Sequence, residues 1–159
     1  STKTWEEMKA VELLPFEAGI AAGADVVMAA HITTPNATED GLPASLSYTM
    51  LTERLRGELG FTGVICTDGL GMKAITDHYS PAEAAIAALD AGADLLLLPA
   101  DLQEAFDGVV AAVESGRISE ERLDESVRRI LTLKEKAGLS LRASTPADTL
   151  LDRLSRLWN

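Results

Sequence analysis

The feature that most constrains the fold is a unit that occurs twice, in which a helix rich in small residues ends at glycine and an apolar strand follows. The segment AGIAAGADVVMAAH over 18–31 is matched by AALDAGADLLLLPA over 87–100, with Gly-Ala-Asp before each strand. The predicted strands Val26–Ala30 and Leu95–Leu98 are apolar at every position, and a third strand of this kind is predicted over Val64–Thr67. Such runs are typical of parallel strands that are covered on both faces.

Segments with helical periodicity separate these strands. The clearest begins at Ser80, where Pro81 stands in the first helical turn and Glu83 completes a capping box. Pro15 is expected to bend or split the first helix, because it lacks the amide that a continuous helix needs. The predicted helices cover 4–22, 47–60, 80–92, 101–116 and 119–138. Strands that alternate with helices are the signature of βαβ units, so an α/β protein with a parallel sheet is predicted.

Three strands are too few to close a barrel. They fit either a small open sheet or part of an eight-stranded barrel. We therefore predict one folded region over 1–139, followed by a linker over 140–149 that is rich in Ser, Thr and Pro. A short amphipathic helix over 150–159 follows, with leucines and Trp158 on one stripe. This helix either docks on the core of its own chain or contacts another domain or subunit.

Charge and composition exclude several classes of function. The 159 residues carry a formal net charge of −11, which disfavours non-specific binding to nucleic acids and to anionic membranes. No apolar run approaches the length of a membrane span and the first residues lack the layout of an export signal, so a cytoplasmic location is predicted unless a longer parent protein is secreted. The single cysteine, Cys66, is expected to be a small buried hydrophobe. One cysteine allows no internal disulfide, and neither a metal site nor a cofactor is predicted.

Ligands of parallel α/β folds bind beyond the carboxyl ends of the strands. The residues at these ends are His31, Asp68 and Pro99. Asp68 is the strongest candidate, because a carboxylate held at a strand end beside Gly69 and Gly71 leaves room for a ligand to approach closely. Such a group can act as a nucleophile or stabilise developing positive charge. The alternative is an aspartate that only caps the following turn.

The two histidines are weaker candidates. His31 follows an apolar strand and could hydrogen-bond a ligand hydroxyl, but a backbone partner would satisfy it equally well. His78 lies past the loop and near a helix start, where a solvated or capping side chain is expected. No serine–histidine–aspartate arrangement, metal cluster or phosphate-binding loop is evident, since position 74 is alanine where a G-x-G-x-x-G motif needs glycine.

Four stretches of the sequence, in this order and spacing, resemble the C-terminal half of the catalytic barrel of glycoside hydrolase family 3. They are VELLPFEAGIAAGADVVMAAHI, PASLSYTMLTERLRGELGFTGVICTDGLGMKAI, EAAIAALDAGADLLLLPADL and ISEERLDESVRRILTLKEKAGL, and they cover roughly residues 10–139. In the glucosidase branch of that family a tryptophan usually follows the nucleophile and Trp-Gly-Phe precedes the strand. Here the residues are Gly69 and Leu59-Gly60-Phe61, which favours the bacterial β-N-acetylglucosaminidase (β-hexosaminidase) branch.

The resemblance implies a fold and a mechanism. The fold is the last three βα units of a (β/α)8 TIM-type barrel, with parallel strands and flanking helices. Asp68, in the Thr-Asp-x-Leu-x-Met motif, is implied to be the nucleophile of a covalent glycosyl-enzyme, which water hydrolyses with retention. Met72 would line the sugar pocket, and His31 would stand beside it as a substrate-binding residue. The implied substrates are saccharides with terminal β-linked N-acetylglucosamine, such as muropeptides derived from peptidoglycan.

The resemblance implies that the general acid is a histidine backed by an aspartate, on a loop that precedes the first helix here. Neither His31 nor His78 matches its motif. The chain alone is therefore expected to be nearly inactive. One alternative is a truncated, non-catalytic relative that self-associates or pairs with the missing N-terminal half, because a three-stranded sheet has two free edges. Another alternative is an unrelated small α/β sheet in which Asp68 is only a turn cap.

Overall fold

The computed structural model describes residues 1–139, in which helical segments precede, separate and follow two β-strands. In chain order the elements are α1 (Trp5–Ala10), α2 (Leu14–Ala21), β1 (Val26–Ala29), a short 3-10 helix (Ala44–Leu46), a π-helix (Thr49–Glu58), β2 (Val64–Thr67), α3 (Lys73–Thr76), α4 (Pro81–Ala91), α5 (Leu102–Glu114) and α6 (Glu120–Lys136). The predicted linker over 140–149 and the predicted helix over 150–159 lie outside the described residues.

The strands β1 and β2 form a parallel ladder. Val26 pairs with Val64 and Ala29 pairs with Thr67, so the two strands run in register over their full length. The connection between them passes through the 3-10 helix and the π-helix. This is the crossover that parallel neighbours require. The predicted α/β architecture with parallel strands is therefore confirmed, although β1 ends one residue before the predicted boundary.

The prediction of a third regular strand over Leu95–Leu98 is wrong. Only Leu95 bridges to β2, opposite Cys66. The amide of Leu97 donates to the Thr67 side-chain oxygen Oγ1 at 3.1 Å instead of to a backbone carbonyl. Leu98 then adopts a φ of 44°, which a leucine rarely takes and which no extended strand contains. The apolar run lies beside β2 as predicted, but a side-chain contact and a turn replace most of its ladder.

Local capping signals place the helix ends as predicted. The Ser80 hydroxyl accepts the Glu83 amide at 3.2 Å, and the Glu83 carboxylate accepts the Ser80 amide at 2.8 Å. The helix α4 ends at Gly92, whose φ of 113° is readily adopted by glycine. The first predicted helix is split into α1 and α2. Pro15 lies in the first turn of α2, where backbone amides make no hydrogen bond within the helix, so the missing N–H of proline costs nothing.

The main core lies between the strands, the π-helix and α4. Ile65 of β2 and Ile75 of α3 are both fully buried in it. On β1, Ala29 is buried, whereas Val26 and Met28 on the other face are 44% and 52% exposed. The expectation that both faces of each strand are covered is therefore wrong for β1, because the described residues leave one face open.

A buried ionic cluster lies at the amino ends of the strands, opposite the end that carries Asp68. The Asp94 carboxylate is fully buried, and its oxygen Oδ2 accepts from Arg56 Nη2 at 2.6 Å and from the Ile65 amide at 2.9 Å. Its oxygen Oδ1 accepts from Ser126 Oγ at 2.6 Å and from Arg129 Nη1 at 3.1 Å. Burial lowers the pKa of the Arg56 guanidinium, and the negative charge of Asp94 opposes that shift. One carboxylate thus joins the π-helix, β2 and α6.

Candidate active site

Asp68 stands at the carboxyl end of β2, where its backbone and side chain are both fixed. Its amide donates to the Ala29 carbonyl at 2.9 Å, which joins the ends of the two strands. Its carboxylate oxygen Oδ1 accepts the Gly69 amide at 2.7 Å, so the predicted turn-capping contact is present. Within the described part of the chain no hydrogen bond reaches Oδ2, and the residue is half-buried. One oxygen is held in place while the other is available to a ligand.

The loop that follows Asp68 is fastened to the rest of the fold. The Leu70 side chain is only 1% exposed, and its amide donates to the Leu97 carbonyl at 2.8 Å. The Gly71 amide donates to the Leu98 carbonyl, also at 2.8 Å. Leu70 and Gly71 therefore fasten the loop to the core and to the segment Leu97–Leu98. A reacting side chain needs such a rigid support.

His31 connects this loop to the long segment that follows β1. Its ring nitrogen Nε2 lies 2.9 Å from the Gly69 carbonyl, and Nδ1 lies 2.6 Å from the Ser45 hydroxyl. Because a carbonyl oxygen can only accept, Nε2 carries a proton, and in the neutral ring Nδ1 accepts from Ser45. The sequence-based alternative of a backbone partner for His31 is thus observed. Direct contact between His31 and a substrate stays a prediction.

Ser45 was not singled out by its sequence context. It falls in PASLS, between a polar loop and a helix, where a serine indicates a cap and nothing more. The structure places its side chain in the interior, with 0% exposure, against the His31 ring. No pattern in a single sequence reveals a contact between residues that are 14 positions apart in a loop.

Met72 lies next to the same loop. It is 48% exposed and precedes the first turn of α3, and its amide donates to the Gly69 carbonyl at 3.0 Å. The Gly69 carbonyl therefore accepts from both Met72 and His31. The three residues predicted for the site, His31, Asp68 and Met72, are brought together around Gly69.

The two glycines of the loop differ in the space around them, which gives a testable contrast. A Cβ at Gly71 would lie 3.1 Å from the Leu98 carbonyl and 3.6 Å from Ala100 Cα, whereas at Gly69 the nearest atom would be 3.8 Å away. We expect Gly71→Ala to destabilise the chain by about 1 kcal/mol, since overpacking outweighs the entropy gained by replacing glycine. Urea unfolding followed by circular dichroism measures this change.

Gly69→Ala is the matched control for that measurement. Neither glycine has a positive φ, so alanine is not strained by its φ at either position. Both substitutions also lower the entropy of the unfolded chain by the same amount. We expect Gly69→Ala to change the free energy of unfolding by less than about 0.5 kcal/mol. If the two variants lost the same free energy of unfolding, the close approach of Gly71 to Leu98 would not contribute to the effect of the substitution.

Cys66 is a structural residue in this setting. Its side chain is buried, and the thiol lies 3.2 Å from the Thr67 carbonyl, to which it donates. Burial raises the pKa of the Cys66 thiol, and the nearby negative charge of Asp68 raises it further. A neutral thiol is a poor nucleophile, which agrees with the interpretation of Cys66 as a small buried hydrophobe.

Well-formed cavities lie away from the candidate residues. An apolar cavity of about 290 Å³ lies beside β1, and Trp5 of α1 and Met50 of the π-helix are among the residues that line it. None of His31, Asp68 and Met72 lines this cavity or three further cavities of residues 1–139. The candidate residues at the carboxyl ends of the strands therefore lie outside these four cavities.

Two further findings concern the described residues only. No group of three or more His, Cys, Asp or Glu side chains in residues 1–139 is arranged to hold a metal ion. In the same part of the chain, no helix combines the length and the apolar character that crossing a membrane requires.

Comparison with known families gives one extensive match. Residues 1–133 match the profile of the Glycosyl hydrolase family 3 N terminal domain. Among solved structures, a glycoside hydrolase family 3 beta-N-acetylglucosaminidase from Paenibacillus sp. str. FPU-7 is 44% identical, with a TM-score of 0.84. The superposition covers 91% of this chain and 28% of the Paenibacillus chain.

Curated proteins give the same result. A protein of Cellulomonas fimi named Beta-N-acetylglucosaminidase/beta-glucosidase is 33% identical, over 92% of this chain and 27% of its own length. Beta-hexosaminidase A of Pseudoalteromonas piscicida is 35% identical, over 84% of this chain and 27% of its own length. The chain thus spans less than a third of the length of these relatives.

Proposed function

We propose that this chain, which belongs to glycosyl hydrolase family 3, carries the nucleophile of a retaining glycosidase at Asp68. The membership confirms the resemblance noted in the sequence. The observation that supports the proposal is the position of Asp68, at the carboxyl end of a parallel strand with Oδ1 held by the Gly69 amide and Oδ2 without a partner among residues 1–139. Ligands of α/β folds bind at this end of the strands.

The proposed reaction has two steps. First, Asp68 Oδ2 attacks the anomeric carbon of the sugar, a carbon–oxygen bond forms to the carboxylate, and the glycosidic oxygen leaves with a proton from a general acid. Second, a water molecule loses a proton to the same group, now acting as a base, and attacks the anomeric carbon. The sugar leaves with its original configuration, and the Asp68 carboxylate is restored.

The names of the relatives and the resemblance of the sequence support a proposal for the substrate class. The names of the matched proteins give beta-N-acetylglucosaminidase and beta-hexosaminidase activities, and the Cellulomonas fimi protein is also named a beta-glucosidase. We therefore propose that the substrate has a terminal β-linked N-acetylglucosamine and that it comes from peptidoglycan-derived muropeptides or related saccharides. Met72, half exposed beside Gly69, is proposed to line the sugar subsite.

The activity is proposed to need residues outside these 159. We propose that the described strands and helices are three βα units of a (β/α)8 barrel, since the chain spans only 28% of the matched Paenibacillus structure. The exposed apolar side chains Val26 and Met28 would then face the missing half of that barrel. Without a general acid, hydrolysis should be slower by roughly 10²–10⁴-fold, so the isolated chain is proposed to be nearly inactive.

A covalent label tests the proposal. The full-length protein that contains this chain is incubated with a 5-fluoro glycosyl fluoride of N-acetylglucosamine, which forms the glycosyl-enzyme quickly and releases it slowly. Peptide mass spectrometry is expected to find one added sugar, on the peptide that contains Asp68. A sugar on another peptide would refute the assignment of the nucleophile. A full-length protein that neither reacts nor hydrolyses substrate would favour the non-catalytic alternative, a self-associating or binding module.

A further inference from the structure

We propose that Ser45 acts through His31 to position the loop that carries Asp68, so that Ser45 and His31 are positioning residues of the reaction. The inference rests on the proposed function of Asp68. Its basis is a continuous chain of hydrogen bonds that runs from the Ser45 hydroxyl, through both ring nitrogens of His31, to the carbonyl of Gly69, the residue that follows Asp68.

Ser45 is the fixed end of this chain. Its side chain is completely buried, and the next residue, Leu46, is buried in the main core. A hydroxyl in the interior is unfavourable unless it is hydrogen-bonded, so the contact of 2.6 Å with His31 Nδ1 is maintained. The half-buried His31 ring is thereby fixed from its inner side.

The Gly69 carbonyl, which can only accept, selects the tautomer of the neutral His31 ring, and the Ser45 hydroxyl supports that tautomer by donating to Nδ1. With a proton on Nε2, the ring donates to the Gly69 carbonyl at 2.9 Å. With the proton on Nδ1, the unprotonated Nε2 would face that carbonyl and the two acceptors would repel each other. A hydroxyl that donates to Nδ1 favours the first arrangement, which is the one that holds the loop.

Gly69 is the point at which the loop needs an external restraint. Without a Cβ it has a wide choice of backbone angles. Its amide donates to Asp68 Oδ1, and its carbonyl accepts from His31, so two hydrogen bonds orient the peptide planes on either side of its Cα. Fixing these planes fixes the direction of the carboxylate. The pair of Ser45 and His31 therefore supplies the rigidity that a side chain at position 69 would otherwise give.

The first test observes the ring directly. The chain has two histidines, and the exposed His78 serves as an internal reference. Nitrogen-15 NMR of the histidine-labelled chain, at a pH where the rings are neutral, is expected to show His31 with its proton on Nε2. In Ser45→Ala, a population with the proton on Nδ1 is expected to appear. This readout requires no catalytic activity.

The second test measures hydrolysis by the full-length protein. Ser45→Ala is expected to lower kcat roughly 10-fold and to change KM less than about 2-fold, because misplacing a reacting group affects the chemical step more than binding. Ser47→Ala is the matched control. Ser47 is equally buried, and its hydroxyl donates to Asp40 Oδ2 at 2.6 Å rather than to His31. We expect kcat of Ser47→Ala to remain within about 2-fold of the wild type.

Two results would overturn the inference. One is a neutral His31 ring in the wild-type chain with its proton on Nδ1. The other is a kcat for Ser45→Ala equal to that for Ser47→Ala. If Ser45→Ala does not fold, Ser45→Cys keeps the shape with a weaker donor, and the same comparison with Ser47→Ala applies. Failure of the proposed function is distinguishable, since Asp68→Asn would then retain activity whatever the tautomer of His31.

Discussion

Replacing Asp68 with asparagine is expected to lower kcat of the full-length protein by at least ~10³-fold, because an amide oxygen cannot form the glycosyl-enzyme. Asparagine has the same shape, and its side-chain oxygen can still accept the Gly69 amide that Oδ1 accepts in the wild type. The fold should therefore be retained. Hydrolysis of an aryl N-acetylglucosaminide, followed by absorbance, measures the loss.

Two further variants make this prediction specific. Asp77→Asn is the matched control, since Asp77 is an exposed aspartate nine residues further along the chain, and the kcat of this variant should be unchanged. Asp68→Gly opens space for azide, whose nitrogen can bond to the anomeric carbon while the glycosidic oxygen leaves. We expect azide to restore turnover in Asp68→Gly and to give a glycosyl azide of inverted configuration. Hydrolysis by Asp68→Asn at the wild-type rate would rule out Asp68 as the nucleophile.

Replacing Asp94 with alanine is expected to lower the free energy of unfolding by about 3–5 kcal/mol, the usual effect of removing one partner of a buried ion pair. The variant leaves Arg56 and Arg129 without the carboxylate between them, and Ser126 and the Ile65 amide without their acceptor. Since a domain is stable by about 5–15 kcal/mol, this is a large share of the total. Urea unfolding monitored by circular dichroism gives the value.

Asp90→Ala is the control for the Asp94 variant. The side chain of Asp90 is 46% exposed and lies 3.5 Å from Arg117, so it is a surface ion pair. Such pairs contribute about 0–1 kcal/mol, and a loss in that range is expected. Similar losses in the two variants would mean that the buried cluster is no more important to stability than a surface contact.

The sequence predicts those parts of the fold that depend on neighbouring residues. Ser80 and Glu83 form their capping box within a single turn, and Pro15 divides the first helix by its own geometry. The segment Leu95–Leu98 shows the limit of this approach. Its apolar pattern predicts a strand, but the Thr67 side chain takes the Leu97 amide and a turn follows, and both depend on tertiary contacts.

The contacts of the candidate site can also be divided into local ones, which the sequence could predict, and long-range ones, which it could not. The position of Asp68 at a strand end and its contact with the next amide are local, so the sequence could predict them. The contact between Ser45 and His31, and that between His31 and Gly69, join residues 14 and 38 positions apart. Their formation depends on how the loops fold over the strand ends. The sequence alone points to Asp68 and His31 as candidates, but neither to Ser45 nor to the contacts that link these residues.

The Gly69 carbonyl has a consequence for stereochemical selectivity. It accepts from the His31 ring at 2.9 Å and from the Met72 amide at 3.0 Å, so both of its lone pairs are engaged. Under the proposed function, an incoming sugar would therefore find the Gly69 carbonyl already saturated with donors. Discrimination between epimers that differ in a hydroxyl on this side would then have to use acceptors other than the Gly69 carbonyl.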